Sequence, residues 1–249
     1  MSSARPKEYL FDHLVIMGRD RLDELGALFQ GEGFHLTPLA HHNLGSSNRL
    51  IMLDSSYLEL LGWEKGKQVQ RAEIANQAID LDALVFRTTD AQACYEQLKA
   101  SGFAVNPVQD LSREGEFMGN TVLVEFKTVR FAEQPIPGLR IYFCEHLTPE
   151  YVWQKLWLTH ANAVDSLKQI NIASSDIQKT AASFMKLLNL DINHCVESKD
   201  STRIILPNIE LCIQIQNTSE GSYLVSALLQ KGQADPVDFI IDQHFLTHF

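Results

Sequence analysis

One short pattern occurs three times along the chain, and that repetition limits the possible folds more than any single residue does. The segments are FDHLVIMGRDRLDELGALFQGEGFHLTP (11–38), LDALVFRTTDAQACYEQLKASGFAVNP (81–107) and LKQINIASSDIQKTAASFMKLLNLDIN (167–193). Each opens with an alternating or largely apolar run. Each then sets an aspartate (Asp20, Asp90, Asp176) before an amphipathic stretch, and the first two stretches close with Gly33-Phe34 and Gly102-Phe103. Repetition on this scale marks a duplicated supersecondary unit.

In the first unit, residues 9–17 read as a strand. Asp20 reads as the N-cap of a helix whose Leu22, Leu25, Leu28 and Phe29 share one face, and Gly33 is suited to ending it. Strands are predicted over 34–38, 49–53 and 57–61. The second unit repeats this with a strand over 83–87, a helix over 91–101 and strands over 104–108, 121–131 and 139–144. The third has a strand over 168–173, a helix over 177–188 and strands over 191–197, 202–206 and 209–215, with one more over 223–229. Such a unit cannot cover both faces of its own sheet. Two of them side by side make one eight-stranded, strongly curved sheet around a cleft. The fold class is therefore α+β, with three copies of a βαβββ module. The boundaries are a first module over 1–62, a connector over 63–80, a second module over 81–148, a connector over 149–164, and a third module with its tail over 165–249. Tyr151, Trp153 and Trp157 in the second connector are spaced to cover apolar surface. Unpaired modules leave sheet edges open, which leads to an expectation of homo-oligomers.

The net charge of -10, with no Lys/Arg cluster, argues against nucleic acid. No apolar run approaches the ~18–20 residues of a spanning helix, so no membrane role is expected. MSSARPKEY lacks the apolar core of a signal peptide, which points to the cytoplasm. The cysteines, Cys94, Cys144, Cys195 and Cys212, form no CxxC and read as free thiols, with Cys212 packed in an apolar run.

Two residues carry most of the chemical signal. His13, in FDHLVI, would share a strand face with Phe11, Val15 and Met17. Glu59, in YLELLGW, sits between leucines, and a buried carboxylate needs a cation, a donor or a metal. Imidazole and carboxylate are ligands that a divalent metal accepts. Further ligand candidates are His41, His42, Glu145, His146, His160 and Glu210. The ordinary alternatives are a hydrogen-bonded strand histidine and a solvent-facing glutamate. In HHNLGSSNRLIML the small residues form a loop whose amides could hold an oxygen-rich ligand, with His42, Asn48 and Arg49 as substrate-binding candidates, or else an ordinary turn. In FCEHLTPEYVWQKLWLTHANAV, Glu145 and His146 end a strand, and His160 and Asn162 follow. They either serve the site as acid, base or binding groups or tie the connector down. Arg113, Arg130 and Arg140 are further anion-binding candidates, while His194, His244 and His248 read as incidental, the last two in a mobile tail.

The stretches FDHLVI, HHNLGSSNRLIML-DSSYLELLGW, LDALVFRTTD-AQACYEQLKASGFAV and HANAV together resemble the vicinal oxygen chelate superfamily, in its glyoxalase-like branch. The resemblance covers nearly the whole chain to Ile215 and implies βαβββ modules around a cleft that often holds a metal. By that resemblance, His13 and Glu59 match the first module's metal ligands. The second module departs, with Ala83 at the histidine position and no secure counterpart of Glu59. Gln169 and Glu210 match the ligand types in the third module. The leading expectation is a metal-dependent enzyme (lyase, isomerase or dioxygenase type) acting on a small oxygen-rich substrate through a metal-stabilised enolate or oxyanion. In it, His13 and Glu59 bind a divalent ion, Glu210, Glu145 or His146 takes a catalytic role, and Arg49 orients substrate. The rival is a metal-free small-molecule-binding protein of the bleomycin-resistance type, favoured by the defective second module.

Overall fold

The computed structural model describes residues 9–67, 69, 71–216, 221–232 and 239–249. The segment MSSARPKE and residues 233–238 of the tail, on which part of the sequence reading falls, lie outside the described residues. The first module comprises β1 (Leu10–Arg19), α1 (Leu22–Gly31), β2 (Ala40–His41), β3 (Ser47–Met52) and β4 (Tyr57–Gly62), followed by the short connector helix α2 (Ala72–Ala75). The second comprises β5 (Asp80–Arg87), α3 (Ala91–Ala100), β6 (Gln109–Phe117), β7 (Asn120–Arg130) and β8 (Arg140–His146). The third comprises β9 (Ser166–Ser174), α4 (Ile177–Leu187), β10 (Cys195–Glu197), β11 (Ser201–Leu206) and β12 (Ile209–Ile215), extended by β13 (Ser222–Gln230), β14 (Phe239–Asp242) and α5 (Gln243–Leu246).

The first two modules share one mixed eight-stranded sheet in the order β2-β3-β4-β1-β5-β8-β7-β6. Within each module the first strand runs parallel to the last, and the modules join by the antiparallel β1–β5 pair. The sheet curls until its edges nearly meet. A bridge pairs His42 with Arg113, and the Asn43 amide donates to the Ser112 carbonyl at 2.9 Å. The third module forms a separate six-stranded sheet, β10-β11-β12-β9-β13-β14. It packs on the outside of the barrel and leaves the cleft alone. Its Leu167, Ile170, Ile172, Leu211 and Ile213 join one continuous core with Leu14 and Ile16 of β1 and Phe29 of α1. Each such buried side chain contributes about 1.5–3 kcal/mol by burial. Asn208, in the β11–β12 turn, docks on β1, accepting from the Phe11 amide at 3.0 Å and donating to the Phe11 carbonyl at 2.8 Å.

Several local expectations change. Asp90 and Asp176 cap their helices by accepting from the Ala93 and Lys179 amides, but Asp20 does not, because Arg21 occupies the cap position of α1 and makes no side-chain capping bond. Gly33 and Gly102 take φ +84 at the helix ends, as glycine does readily. Residues 34–38 and 104–108 run alongside their neighbours without forming the expected strands. The second module's ladder begins instead at Gln109, in a polar segment that carried no apolar alternation. The expected mobile tail contains α5, whose Leu246 is buried and whose Phe245 packs at 5.2 Å on Phe29.

A single irregularity recurs in all three modules. Between Phe11 and His13, β1 carries one residue more than β5, so Asp12 is the extra residue of a β-bulge. The same shift makes Asp82 the extra residue of β5 and Lys168 that of β9. A bulge re-aims the side chains around it. Phe11 therefore turns to the outer core with Leu14 and Ile16, rather than sharing the face of His13, Val15 and Met17 as simple alternation predicts.

Candidate functional site

The bulge delivers two functional groups to the inner face where a regular strand would deliver one. Asp12 is fully buried, and its Oδ2 lies 2.8 Å from His13 Nδ1 and 2.9 Å from His146 Nε2. Its Oδ1 accepts from Arg87 Nε at 2.5 Å, and the Arg87 guanidinium lies 4.5 Å over the Trp153 ring. An acceptor at Nδ1 selects the tautomer that leaves Nε2 facing the cleft. There, His13 Nε2 lies 3.2 Å from Tyr142 Oη and 3.5 Å from Glu59 Oε2, and its ring stacks on Tyr57 at 4.5 Å. Glu59 Oε1 in turn accepts from Asn48 Nδ2 at 2.7 Å.

Charge keeps this cluster together. Burial disfavours the Asp12 carboxylate, but His146 and His13 outweigh that and hold its pKa well below the usual range. Burial likewise opposes a charged His13, while Asp12 and Glu59 raise it. Glu59 is lowered by His13, His42 and Asn48 against the cost of its burial. His42 behaves oppositely. Burial pushes it down to about 4 despite Glu59, so it stays a neutral imidazole, bonded at Nδ1 to Ser46 Oγ at 2.9 Å. Burial raises Tyr142, which keeps its phenol protonated. A cavity of about 30 Å³ lies among these groups. It adjoins a larger cleft of about 420 Å³, with Arg71, Arg130 and Tyr142 in the shared wall.

The sequence candidates divide sharply. His13, Glu59, Asn48 and His42 converge, and His146 joins them through Asp12. Arg49 faces outward, 3.3 Å from Asp23 of α1, because it lies one residue from Asn48 on a strand and takes the opposite face. Glu145 accepts from the Ala91 amide at the start of α3, and so caps a helix outside the cleft. His160 accepts from the His35 amide and bonds to the Met52 carbonyl; Asn162 donates to the Glu32 carbonyl. These two residues tie the connector to the first module. His41 is more than half exposed and bonds Ser47. Glu210 pairs with Arg203 on the outer sheet.

The ladders also redefine the module equivalences. His13 lies opposite Tyr57, and Ala83 opposite Arg140, so Tyr142 takes the place of Glu59 in the second module. In the third, Gln169 lies opposite Glu210, which puts Cys212, not Glu210, at the Glu59 position. Sequence reasoning missed Asp12, Tyr57, Tyr142 and Arg71 altogether. An ionisable doublet, Asp12-His13, inside an apolar run was the one available signal.

The donor set bears on a metal. His13 Nε2, Glu59 Oε2 and Tyr142 Oη converge, and the first two are separated as two ligands of one ion can be. Asp12 supplies the carboxylate that metal-binding histidines ordinarily have on their second nitrogen. Ala83 contributes no donor, which leaves positions for water or substrate. The residues therefore fit an open divalent site. Asp12, Cys144 and His146 also bring ligand-type atoms within 4.8 Å of one another. That group fits an ion less well, since Asp12 is already engaged by Arg87 and both imidazoles, and burial with Asp12 and Glu59 nearby pushes the Cys144 thiol well up.

Comparison with known proteins agrees with this architecture. A crystal structure of a hypothetical protein from Staphylococcus aureus superposes with a TM-score of 0.71 at 19% identity, covering 91% of this chain and 92% of that one. A xylose isomerase-like TIM barrel/4-hydroxyphenylpyruvate dioxygenase fusion protein gives 0.56 at 13% identity, covering 93% of this chain and 38% of that one. A mutant of 4-hydroxymandelate synthase from Streptomyces coelicolor gives 0.52 at 12% identity, covering 90% and 71%. These likenesses show the vicinal oxygen chelate fold. A search of the curated proteins finds no match. No helix among the described residues is long and apolar enough to cross a membrane. With a family match over residues 11–188, from the first strand to the end of the third module's helix, the chain belongs to the Glyoxalase-like domain family.

Proposed function

We propose that the chain is a metal-dependent enzyme for a small oxygen-rich molecule, of lyase, isomerase or dioxygenase type, with His13 and Glu59 holding a divalent ion. One observation carries this reading: His13 Nε2 and Glu59 Oε2 meet at 3.5 Å while Asp12 fixes the other ring nitrogen. The fold shared with proteins named for 4-hydroxyphenylpyruvate dioxygenase and 4-hydroxymandelate synthase supports it at the level of architecture. A bound ion would supply Lewis-acid stabilisation of an enolate or oxyanion developing on the substrate.

The chain's own groups would do the rest. Asn48 holds Glu59 in its rotamer. Tyr142 Oη, protonated and now hydrogen-bonded to His13 Nε2, would turn its proton to a substrate oxygen. Trp153 and Tyr57, in edge contact at 5.7 Å, exclude water from the Asp12–His13 side. His42 is a neutral imidazole and adds no positive charge to the cavity.

Metal analysis of protein purified without chelator tests this. About one ion per chain, lost in His13→Ala and in Glu59→Gln, is expected. Sub-stoichiometric metal unaffected by His13→Ala removes the reading. A metal-free small-molecule binder would then remain, the reading that Ala83 favours. For that binder, ligand-induced thermal stabilisation would survive chelator.

A further inference from the structure

A protein of net charge -10 gathers four guanidiniums around one cleft. Arg71, Arg113, Arg130 and Arg140 come from four different segments and line the two adjoining cavities. The carboxylates among them are fewer. Arg140 is neutralised by Asp82, which accepts from both Nε and Nη2. Glu59 belongs to the His13 cluster. Arg71 and Arg130 share a single oxygen, Glu73 Oε1, with Arg71 Nε at 2.8 Å. Glu73 stands on the four-residue helix α2, and its side chain is 42% exposed.

Arg113 is the least satisfied. It is 8% exposed and lines the inner cavity, yet its Nε has no acceptor among the described residues. A buried charged donor left unpaired is costly, and a guanidinium's planar fork matches a planar or tetrahedral oxyanion. The Tyr142 ring has the Arg130 guanidinium 5.3 Å from its centroid and that of Arg140 at 5.6 Å, which fixes Arg130 in place. The hydroxyl of the same ring reaches His13 Nε2. A ligand anchored at the arginines would therefore extend toward His13.

We infer that Arg71, Arg113 and Arg130 form a binding subsite for an oxyanion, a carboxylate or phosphate group, carried by the small molecule that enters the larger cleft. Glu73 stands at present where the anion's oxygen would sit. The inference rests on the proposed function only in taking the ligand to be that site's substrate. The subsite itself needs no metal. The volume of about 420 Å³ falls in the range of small-molecule sites.

The test is calorimetric titration of chelator-treated protein in chloride buffer, with inorganic phosphate in one arm and malonate in the other. Saturable binding of at least one is expected, and the tighter arm identifies the group. Arg130→Gln should weaken it about tenfold, the worth of a charge-assisted hydrogen bond. Glu73→Gln should tighten it, a gain that misfolding cannot produce. Binding no stronger than that of chloride, or an affinity unchanged in either variant, overturns the subsite. Because no metal is present, failure here leaves the metal-dependent reading standing. Intact anion binding with no metal uptake removes only that reading.

Discussion

Replacing Asp12 by asparagine isolates the contribution of the bulge. The side chain keeps its size and loses its charge at a fully buried point that serves three partners, His13, His146 and Arg87. Removing one partner of a buried ion pair typically costs about 3–5 kcal/mol. The cost is smaller here, because the Arg87 side chain is a quarter exposed and retains its contact with Trp153. A loss of about 2–3 kcal/mol is expected, which for a chain of this size is a fall in Tm of roughly 5–10 °C. The sign of the pH dependence follows from the lowered Asp12 pKa. The carboxylate's contribution is present above its unfolded value near 3.8 and is lost as pH falls toward the folded one. The gap between wild type and variant should therefore close in acid, and also narrow as pH rises through the raised pKa of His13, whose charged form the carboxylate favours. His13 also loses the acceptor that sets its tautomer, so divalent-metal affinity should fall about 10–100-fold. Thermal unfolding followed by circular dichroism and metal titration reads both. A variant with wild-type Tm and wild-type metal affinity would refute the role given to the bulge.

Gly62→Ala would place a Cβ 2.1 Å from the Arg19 carbonyl oxygen, which is backbone and cannot step aside; a loss of about 2–3 kcal/mol in urea unfolding is expected. His42 should make the fold lose stability as pH drops from about 6.5 to about 4, since the unfolded chain binds the proton that the folded chain refuses, by up to roughly 3 kcal/mol. In His42→Asn that slope should flatten. The raised His13 does not contribute in that window, because its stabilisation is complete below 6.5 and is lost only as pH rises through its folded value. Asn208→Ala removes both hydrogen bonds to the Phe11 backbone and should cost about 1–3 kcal/mol. Hydrogen exchange at the Phe11 amide should speed up, and equal protection in the variant would show that the third module does not dock there.

Periodicity alone located most of the elements, because burial of one face imposes it. The strand over 209–215 and the start of the helix over 177–188 match the structure residue for residue. The Phe34 and Ala104 segments were misread because β-type composition does not ensure a ladder partner. The Gln109–Phe117 strand was missed because both its faces are largely polar or half-exposed. His13 and Glu59 were legible as polar groups placed where lone polar groups are costly. Arg49 was misplaced by one residue of strand parity, and Glu210 by two residues of ladder register.

The repeated sequence by itself determined the module, its helices and the inner-face pair of imidazole and carboxylate. Tertiary structure alone decided the rest. A bulge is a mismatch in register between two strands, so the entry of Asp12 into the site depends on β5, even though the Asp12-His13 doublet is visible in the sequence. The closure of the sheet by His42 and Arg113, the docking of the third module on the outside, and the meeting of four arginines from distant segments all depend on contacts that span the chain. Local pattern specifies which face a residue takes within its own element, and only the packed fold specifies what that face meets.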